Sequence, residues 1–393
     1  MPKNTFYKQL ISLVVSLFNR VSNFHKVYLL PLLFTPQLAF AELGLNLPEG
    51  VTSVSRNIYG LHMKIFMVCV VIAVIVFGAM IWSMYFHRKS KGAVASNFHE
   101  STKIELAWTI IPLIILIVMA VPATRVMIDL EKTDEADLTV KITGYQWKWQ
   151  YEYLDNDVNF FSNLSEKNRK EMEDPEARAN AENYLLEVDN PLVLPVGKKI
   201  RFLMTSNDVI HSWWVRDFGV KQDANPGFIN DAWATIEEPG TYRGQCTELC
   251  GKDHGFMPVV VVAKPQAEYD AWVVEQEAKQ KAIAEAASGT KTKDELMAQG
   301  QKIYSNNCAS CHQTTGAGLP GVFPAITGSS IVNDSDTAAH LNIVLNGKAG
   351  SAMQAYGKQL NDGDIASVIT YQRNALGNSE GTIVQPSDIK AAR

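Results

Sequence analysis

Residues 244–262 read GQCTELCGKDHGFMPVVVV, with Cys246, Glu248, Cys250, His254 and Met257 inside twelve residues. Two thiolates, an imidazole and a thioether at such spacing form a donor set for a soft or borderline metal. The apolar run Pro258–Val262 follows at once, so the donors sit on a loop leading into a buried strand. A second imidazole, His211, lies upstream in VIHSWWV, which also reads as a strand end. Three chemistries compete here. Two Cys and two His suffice for structural zinc, which needs only tetrahedral closure. Cys246 and Cys250 could pair as a disulfide in an exported domain. Copper uses Cys, His and a weak axial Met, and a second Cys lets two coppers share bridging thiolates. Zinc has no use for Met257, and a disulfide has none for either His, so the residue types favour copper.

Outward from this loop the chain divides. Ile65–Phe86 and Leu106–Thr124 are charge-free and long enough to cross a bilayer, giving helices expected near 63–86 and 104–127. Pro112 and Pro122 are tolerated in membrane helices. Between the runs lie His87, Arg88, Lys89, Lys91 and Lys103, and positive loops stay in the cytoplasm. Both ends of the hairpin are therefore expected outside. Residues 1–41 read as an export signal: Lys3, Lys8, Arg20 and Lys26 precede the apolar Val27–Phe34, and Ala39-Phe40-Ala41 gives a cleavage site. The lone Cys69 in the first apolar run reads as an inert buried thiol.

From Leu138 the period becomes two, with strands expected in LTVKITGYQWKWQYEY, Leu192–Pro195, Lys199–Thr205 and Thr241–Gln245. Short strands separated by turn residues point to a β-sandwich or barrel. The polar stretch Asn156–Asn183 reads as a surface insertion with a short helix. Gln266–Ala287 is rich in helix formers, and Ser288–Lys293 reads as a flexible connector.

A second centre follows. Cys308-Ala309-Ser310-Cys311-His312 is the attachment pattern of a c-type haem, with His312 as one axial ligand. Met353, in GKAGSAMQAYG, is the candidate for the sixth position, and His/Met ligation raises the haem potential. His340 is the rival, read as a surface helix residue. The net charge of −5 and the lack of a basic stripe exclude nucleic acid as a partner.

The pattern of His211 followed by Cys246-x3-Cys250-x3-His254-x2-Met257 resembles the dinuclear CuA site of cytochrome c oxidase subunit II. Three stretches carry the resemblance further: GYQWKWQYEY (Gly144–Tyr153), DVIHSWWV (Asp208–Val215) and KQDANPG (Lys221–Gly227). It covers roughly residues 50–275, apart from the polar stretch near 156–184. The unit beyond resembles a class I cytochrome c in GAGLPGVFPAITGS (Gly316–Ser329) and LNDGDIASVITYQRN (Leu360–Asn374). The resemblance implies a multi-domain membrane protein: a signal peptide (1–41), a two-helix transmembrane hairpin (42–130), a cupredoxin-like Greek-key β-sandwich (131–265), a helical linker (266–293), an all-α cytochrome c domain (294–378) and a polar tail (379–393).

It implies two coppers bridged by Cys246 and Cys250, with His211, His254, Met257 and the Glu248 carbonyl completing the ligation. Glu248 would also help hold Mg²⁺ at the contact with subunit I. Haem c would be covalently held by Cys308 and Cys311 and ligated by His312 and Met353. Trp147 would admit electrons to copper, and Glu105, in IELAWT, would stand at the mouth of a proton path. The implied setting is the inner membrane of a bacterium, metal domains on the periplasmic side, beside oxidase subunits I and III. A soluble or membrane-bound cytochrome c would donate. The implied role is to deliver electrons to haem in subunit I for oxygen reduction coupled to proton pumping. Nitrous oxide reductase shares the copper motif but needs no two-helix anchor. A quinol-oxidising relative would lack the copper ligands. From another class, a membrane-tethered zinc and haem binding protein would have no electron circuit.

Overall fold

The computed structural model describes residues 46–94, 97, 99–287 and 289–393; the expected signal peptide lies outside them. Helix α1 (Ser53–Phe86) and helix α2 (Thr102–Leu130) are both long and apolar enough to span a membrane. Their apolar side chains, including Cys69, stand exposed. This corrects the reading of Cys69 as buried: its helix is a long apolar span whose side chains point outward instead of into a core of this chain. Helix α1 also begins ten residues before the expected position 63. Thr52 and Ser55 form a capping box at its start, and Thr52 Oγ1 donates to Phe218 O at 2.8 Å. The added turns are fixed by this cap and by docking on the sandwich, neither of which hydropathy registers.

Among the described residues, ten strands build two five-stranded sheets. The first runs β3 (Asn159–Ser162), β2 (Lys148–Tyr153), β1 (Leu138–Tyr145), β5 (Lys199–Ser206), β8 (Asn230–Thr235). The second runs β4 (Leu192–Pro195), β10 (Pro258–Lys264), β9 (Gly240–Cys246), β6 (His211–Val215), β7 (Val220–Ala224). Two pairs, β1 with β5 and β4 with β10, are parallel, and the rest are antiparallel. In β5 burial alternates strictly, as expected for a strand with one face on the core. Strand β10 is central in its sheet and buried along nearly its whole length, which explains its unbroken valines. Val140, Ile142, Trp149, Tyr151, Phe202 and Trp213 fill the space between the sheets.

The long aromatic run is a hairpin rather than one strand: β1 ends at Tyr145, Gln146 and Trp147 make the turn, and β2 begins at Lys148. One continuous strand would put Trp147 and Trp149 on the same sheet face, but only Trp149 is in a strand. It is fully buried, while Trp147 is half-buried in the turn. The polar insertion holds helices α3 (Glu166–Glu173) and α4 (Pro175–Ala179), and also supplies the edge strand β3.

Helix α5 (Gln266–Ala287) covers the sandwich through Tyr269 and Trp272; the Trp272 ring packs against Tyr153 on one side and Tyr269 on the other. The C-terminal domain contains α6 (Lys293–Asn307), α7 (Ala309–His312), α8 (Ala338–Asn346), α9 (Asp362–Asn374) and α10 (Pro386–Ala392). Helices α6 and α9 cross so closely at Gly300 that an added Cβ would lie 2.1 Å from Ser367 O. Two expectations are corrected here. The tail 379–393 is not a loose polar appendage: Val384 and Ile389 are buried, and Arg373 and Asn374 bind Thr382. Two apolar side chains inside a polar stretch suffice to seat it. The described end of the connector is also tied down: Lys291 N donates to Gln385 Oε1 and Gln385 Nε2 to Lys291 O, both at 3.0 Å, and Thr292 caps α6.

His340 is a further correction, because it is 3 % exposed rather than on the surface. Nε2 meets Gln372 Oε1 at 2.8 Å, and a side-chain carbonyl only accepts, so Nε2 carries the proton. Burial holds its pKa down to about 4 from 6.5. The unfolded chain therefore takes up a proton that the folded domain refuses, and stability falls as pH drops through 6.5 toward 4. The full loss is about 3 kcal/mol. His340→Gln should flatten this slope in thermal unfolding followed against pH. An unchanged slope would assign the acid sensitivity elsewhere.

Candidate metal centre

Strand β9 ends at Cys246, β10 begins at Pro258, and the loop between them carries the remaining donors. Strand β6 pairs with β9, with Trp213 opposite Cys246, and that register brings His211 to the loop. Cys246 and Cys250 Sγ are 3.8 Å apart. A disulfide needs about 2.05 Å, and both thiols are free. Cys246 Sγ lies 4.0 Å from His211 Nδ1 and 3.4 Å from the Glu248 carbonyl. Cys250 Sγ lies 3.4 Å from His254 Nδ1 and 3.6 Å from Met257 Sδ. Every donor named from the sequence thus converges on one point, with the two sulfurs in the middle. One tetrahedral ion uses four donors; this set of six, with paired thiolates at its centre, fits two soft ions.

The surroundings prepare the donors. His211 is fully buried, and its Nε2 meets Asp208 Oδ1 at 2.8 Å. A carboxylate only accepts, so Nε2 carries the proton and Nδ1 keeps its lone pair toward Cys246. Burial works against charge on this imidazole, but the bonds to Asp208 and Cys246 outweigh it and raise the pKa. The hydrogen bond from Cys250 pulls Cys246 down to about 3, while the same pairing pushes Cys250 up. One thiolate therefore stands ready beside a retained thiol. Gly144 makes room for the ligand: a Cβ there would come within 2.7 Å of the His211 ring. The Cys250 carbonyl accepts from Gln146 Nε2 at 2.8 Å and Trp147 Nε1 at 3.2 Å.

The haem motif is placed against this loop. Lys252 Nζ donates to Ser310 O at 2.7 Å, and Trp147 shares a small cleft with Asn306, Asn307, Ser310 and Tyr356. His312 Nδ1 lies 2.9 Å from Pro324 O. That carbonyl can only accept, so Nε2 is left with a free lone pair. Two unpaired thiols and an imidazole in this tautomer fit a covalently attached, His-ligated haem. Met353 sits between α8 and α9. Glu105 is in the first turn of α2 and exposed, far in sequence from either centre. The Glu248 side chain is also exposed.

Sequence reading missed the residues that orient the donors: Asp208, Gln146, Gly144 and, at the domain contact, Lys148 and Gln354. Asp208 had a local signal, as a carboxylate three residues before a ligand imidazole. The others are made relevant only by pairing across the fold. Lys148 is 5 % exposed and donates to Asn307 Oδ1 at 2.7 Å. Burial lowers its pKa to about 8.

The profile for cytochrome C oxidase subunit II, periplasmic domain, matches residues 138–264, and that for its transmembrane domain matches 41–126. A third, for cytochrome C oxidase, cbb3-type, subunit III, matches 295–371. Probable cytochrome c oxidase subunit 2 of Rickettsia bellii is 37% identical over 234 residues, 59% of this chain and 83% of that protein. Cytochrome c oxidase subunit 2 of Cereibacter sphaeroides is 34% identical over 240 residues, 58% of this chain and 79% of that protein. Among solved structures, the periplasmic domain of subunit II of cytochrome oxidase from Bradyrhizobium japonicum is 40% identical over 37% of this chain and 98% of that one, with a TM-score of 0.33. With two membrane-spanning helices, a cupredoxin-like sandwich and most of the length of such relatives matched, the chain belongs to the cytochrome c oxidase subunit II family, and a cytochrome c-type domain extends it at the C-terminus.

Proposed function

We propose that this chain is the electron-delivering subunit of a haem–copper terminal oxidase. It would take electrons from an external c-type cytochrome at its own haem c and pass them through a dinuclear copper pair to haem in subunit I. Oxygen would be reduced to water there, coupled to proton pumping. The observation that carries this reading is the convergence of His211, Cys246, Glu248, Cys250, His254 and Met257 beside a haem attachment motif of the same chain.

When bound, the copper pair and the haem supply one-electron carriage without proton chemistry of their own. The protein's contribution is position. Asp208 fixes the His211 ring, burial of Cys246 and Cys250 keeps water from the thiolates, and Trp147 lies between the haem motif and the Cys250 carbonyl. Cys308 and Cys311 would hold haem c, with His312 and Met353 as axial ligands. Glu105 would stand at the cytoplasmic mouth of a proton path in subunit I, and the exposed Glu248 carboxylate would share Mg²⁺ at that contact. The sandwich and haem domain would face the periplasm of a bacterial inner membrane, with subunits I and III alongside. Metal analysis of the purified complex, combined with its optical and EPR spectra, tests the reading. About two coppers in this chain per haem c are expected, and zinc in place of copper would overturn it.

A further inference from the structure

Among the described residues the two domains meet at three polar points. Lys148 Nζ donates to Asn307 Oδ1 at 2.7 Å, and Lys252 Nζ to Ser310 O at 2.7 Å, so the seat brackets Cys308. The third point is different in kind. Gln354 Nε2 donates to Asp208 Oδ2 at 3.0 Å, and lies 3.3 Å from Gln146 O. Asp208 is the carboxylate whose other oxygen holds His211 Nε2. Its side chain is only 13 % exposed.

The two oxygens divide their partners. Oδ1 accepts from His211 Nε2 at 2.8 Å and from Val209 N at 2.7 Å. Oδ2 accepts from Gln146 N at 2.8 Å and, across the domain boundary, from Gln354. The Gln354 amide is oriented for this role: its Oε1 accepts from Gln359 Nε2 at 3.3 Å, which turns the NH₂ toward Asp208. An extra donor on a carboxylate draws charge toward itself and weakens the bond the carboxylate makes to a second partner. The partner here is the N–H of a donor imidazole, and its strength sets how basic Nδ1 is toward a metal.

We propose that Asp208 is a shared carboxylate that couples seating of the C-terminal domain, through Gln354, to the electronic state of His211 at the copper centre. Gln354 is thus a positioning residue: it touches no metal and acts through Asp208. The proposal rests on the copper reading given above, but its docking half does not.

Gln354→Glu in the purified, metal-loaded full chain is the test, because it sets one carboxylate against another. Amide hydrogen exchange reads docking without reference to activity. Exchange over Gln146–Lys148 and Asn306–Ser310 should rise about tenfold, as for loss of one hydrogen bond to a charged group. The copper EPR signal should shift, while the haem c absorption stays the same. Unchanged exchange in Gln354→Glu would refute the docking contact. Raised exchange with an unaltered copper signal would refute the coupling. A wild-type chain that binds no copper would instead end the functional reading, and exchange would still decide the docking.

Discussion

Replacing Cys250 with Ser should remove the paired copper signal altogether and leave haem c spectroscopically normal. Cys250 Sγ lies within 3.8 Å of the Cys246 sulfur, the His254 imidazole and the Met257 thioether together. A serine hydroxyl is a hard donor with a short reach, and it cannot bridge two soft ions symmetrically. His254 and Met257 would lose the sulfur that ties their ion to the other. Any copper retained would be a single ion on His211 and Cys246, with a localised EPR pattern. The haem should be untouched, because Cys308, Cys311 and His312 lie in a unit with its own core. A delocalised two-copper signal surviving in this variant would show that the bridging assignment is wrong.

Trp147→Gln should slow reduction of the copper by haem c by orders of magnitude while copper, haem and membrane assembly persist. The ring borders the cleft lined by Asn306, Asn307, Ser310 and Tyr356, and its Nε1 reaches the Cys250 carbonyl. Tunnelling favours packed atoms over open space, and the indole fills the path from haem motif to copper loop. Glutamine keeps an N–H for Cys250 O, and Gln146 also donates there, so the loop should stay folded. Haem c should accumulate reduced during steady turnover. The competing role, that of a packing residue, predicts another pattern: copper lost from a destabilised sandwich, and whatever remained reduced at the normal rate. Stopped-flow oxidation of haem c, normalised to bound copper, separates the two.

The sequence made the donors legible because they are local. Five of them occupy one loop, and the strands flanking it carry clear period-two or all-apolar patterns. His211 was visible as a second imidazole upstream, but its place beside Cys246 was implied only by the resemblance, since 35 residues and a strand pairing separate the two. The same limit explains what was misread. Trp147 and Trp149 share a face only if the run is one strand, and the turn at Gln146–Trp147 lacks the Asn-Gly or Gly signals that mark tight hairpins. The tail looked polar because its two anchors, Val384 and Ile389, are isolated in sequence and meet their partners only in the fold. His340 looked exposed because its burial depends on Gln372, 32 residues away. The domain contact was hidden for the same reason: nothing near Lys148 in sequence announces Asn307.

The reciprocal amide bonds between Lys291 and Gln385 have a mechanical consequence. They bind the strap leading into the C-terminal domain to a segment near its far end, so that both ends of the unit leave from one knot. A pull on the incoming chain is then borne by two parallel amide bonds before it reaches any helix. The unit is thus closed on itself, and a load on the incoming chain meets this knot before it meets the domain's own core. Such closure suits a domain appended to an anchored chain, because the joint bears on the knot and not on the helices of either part.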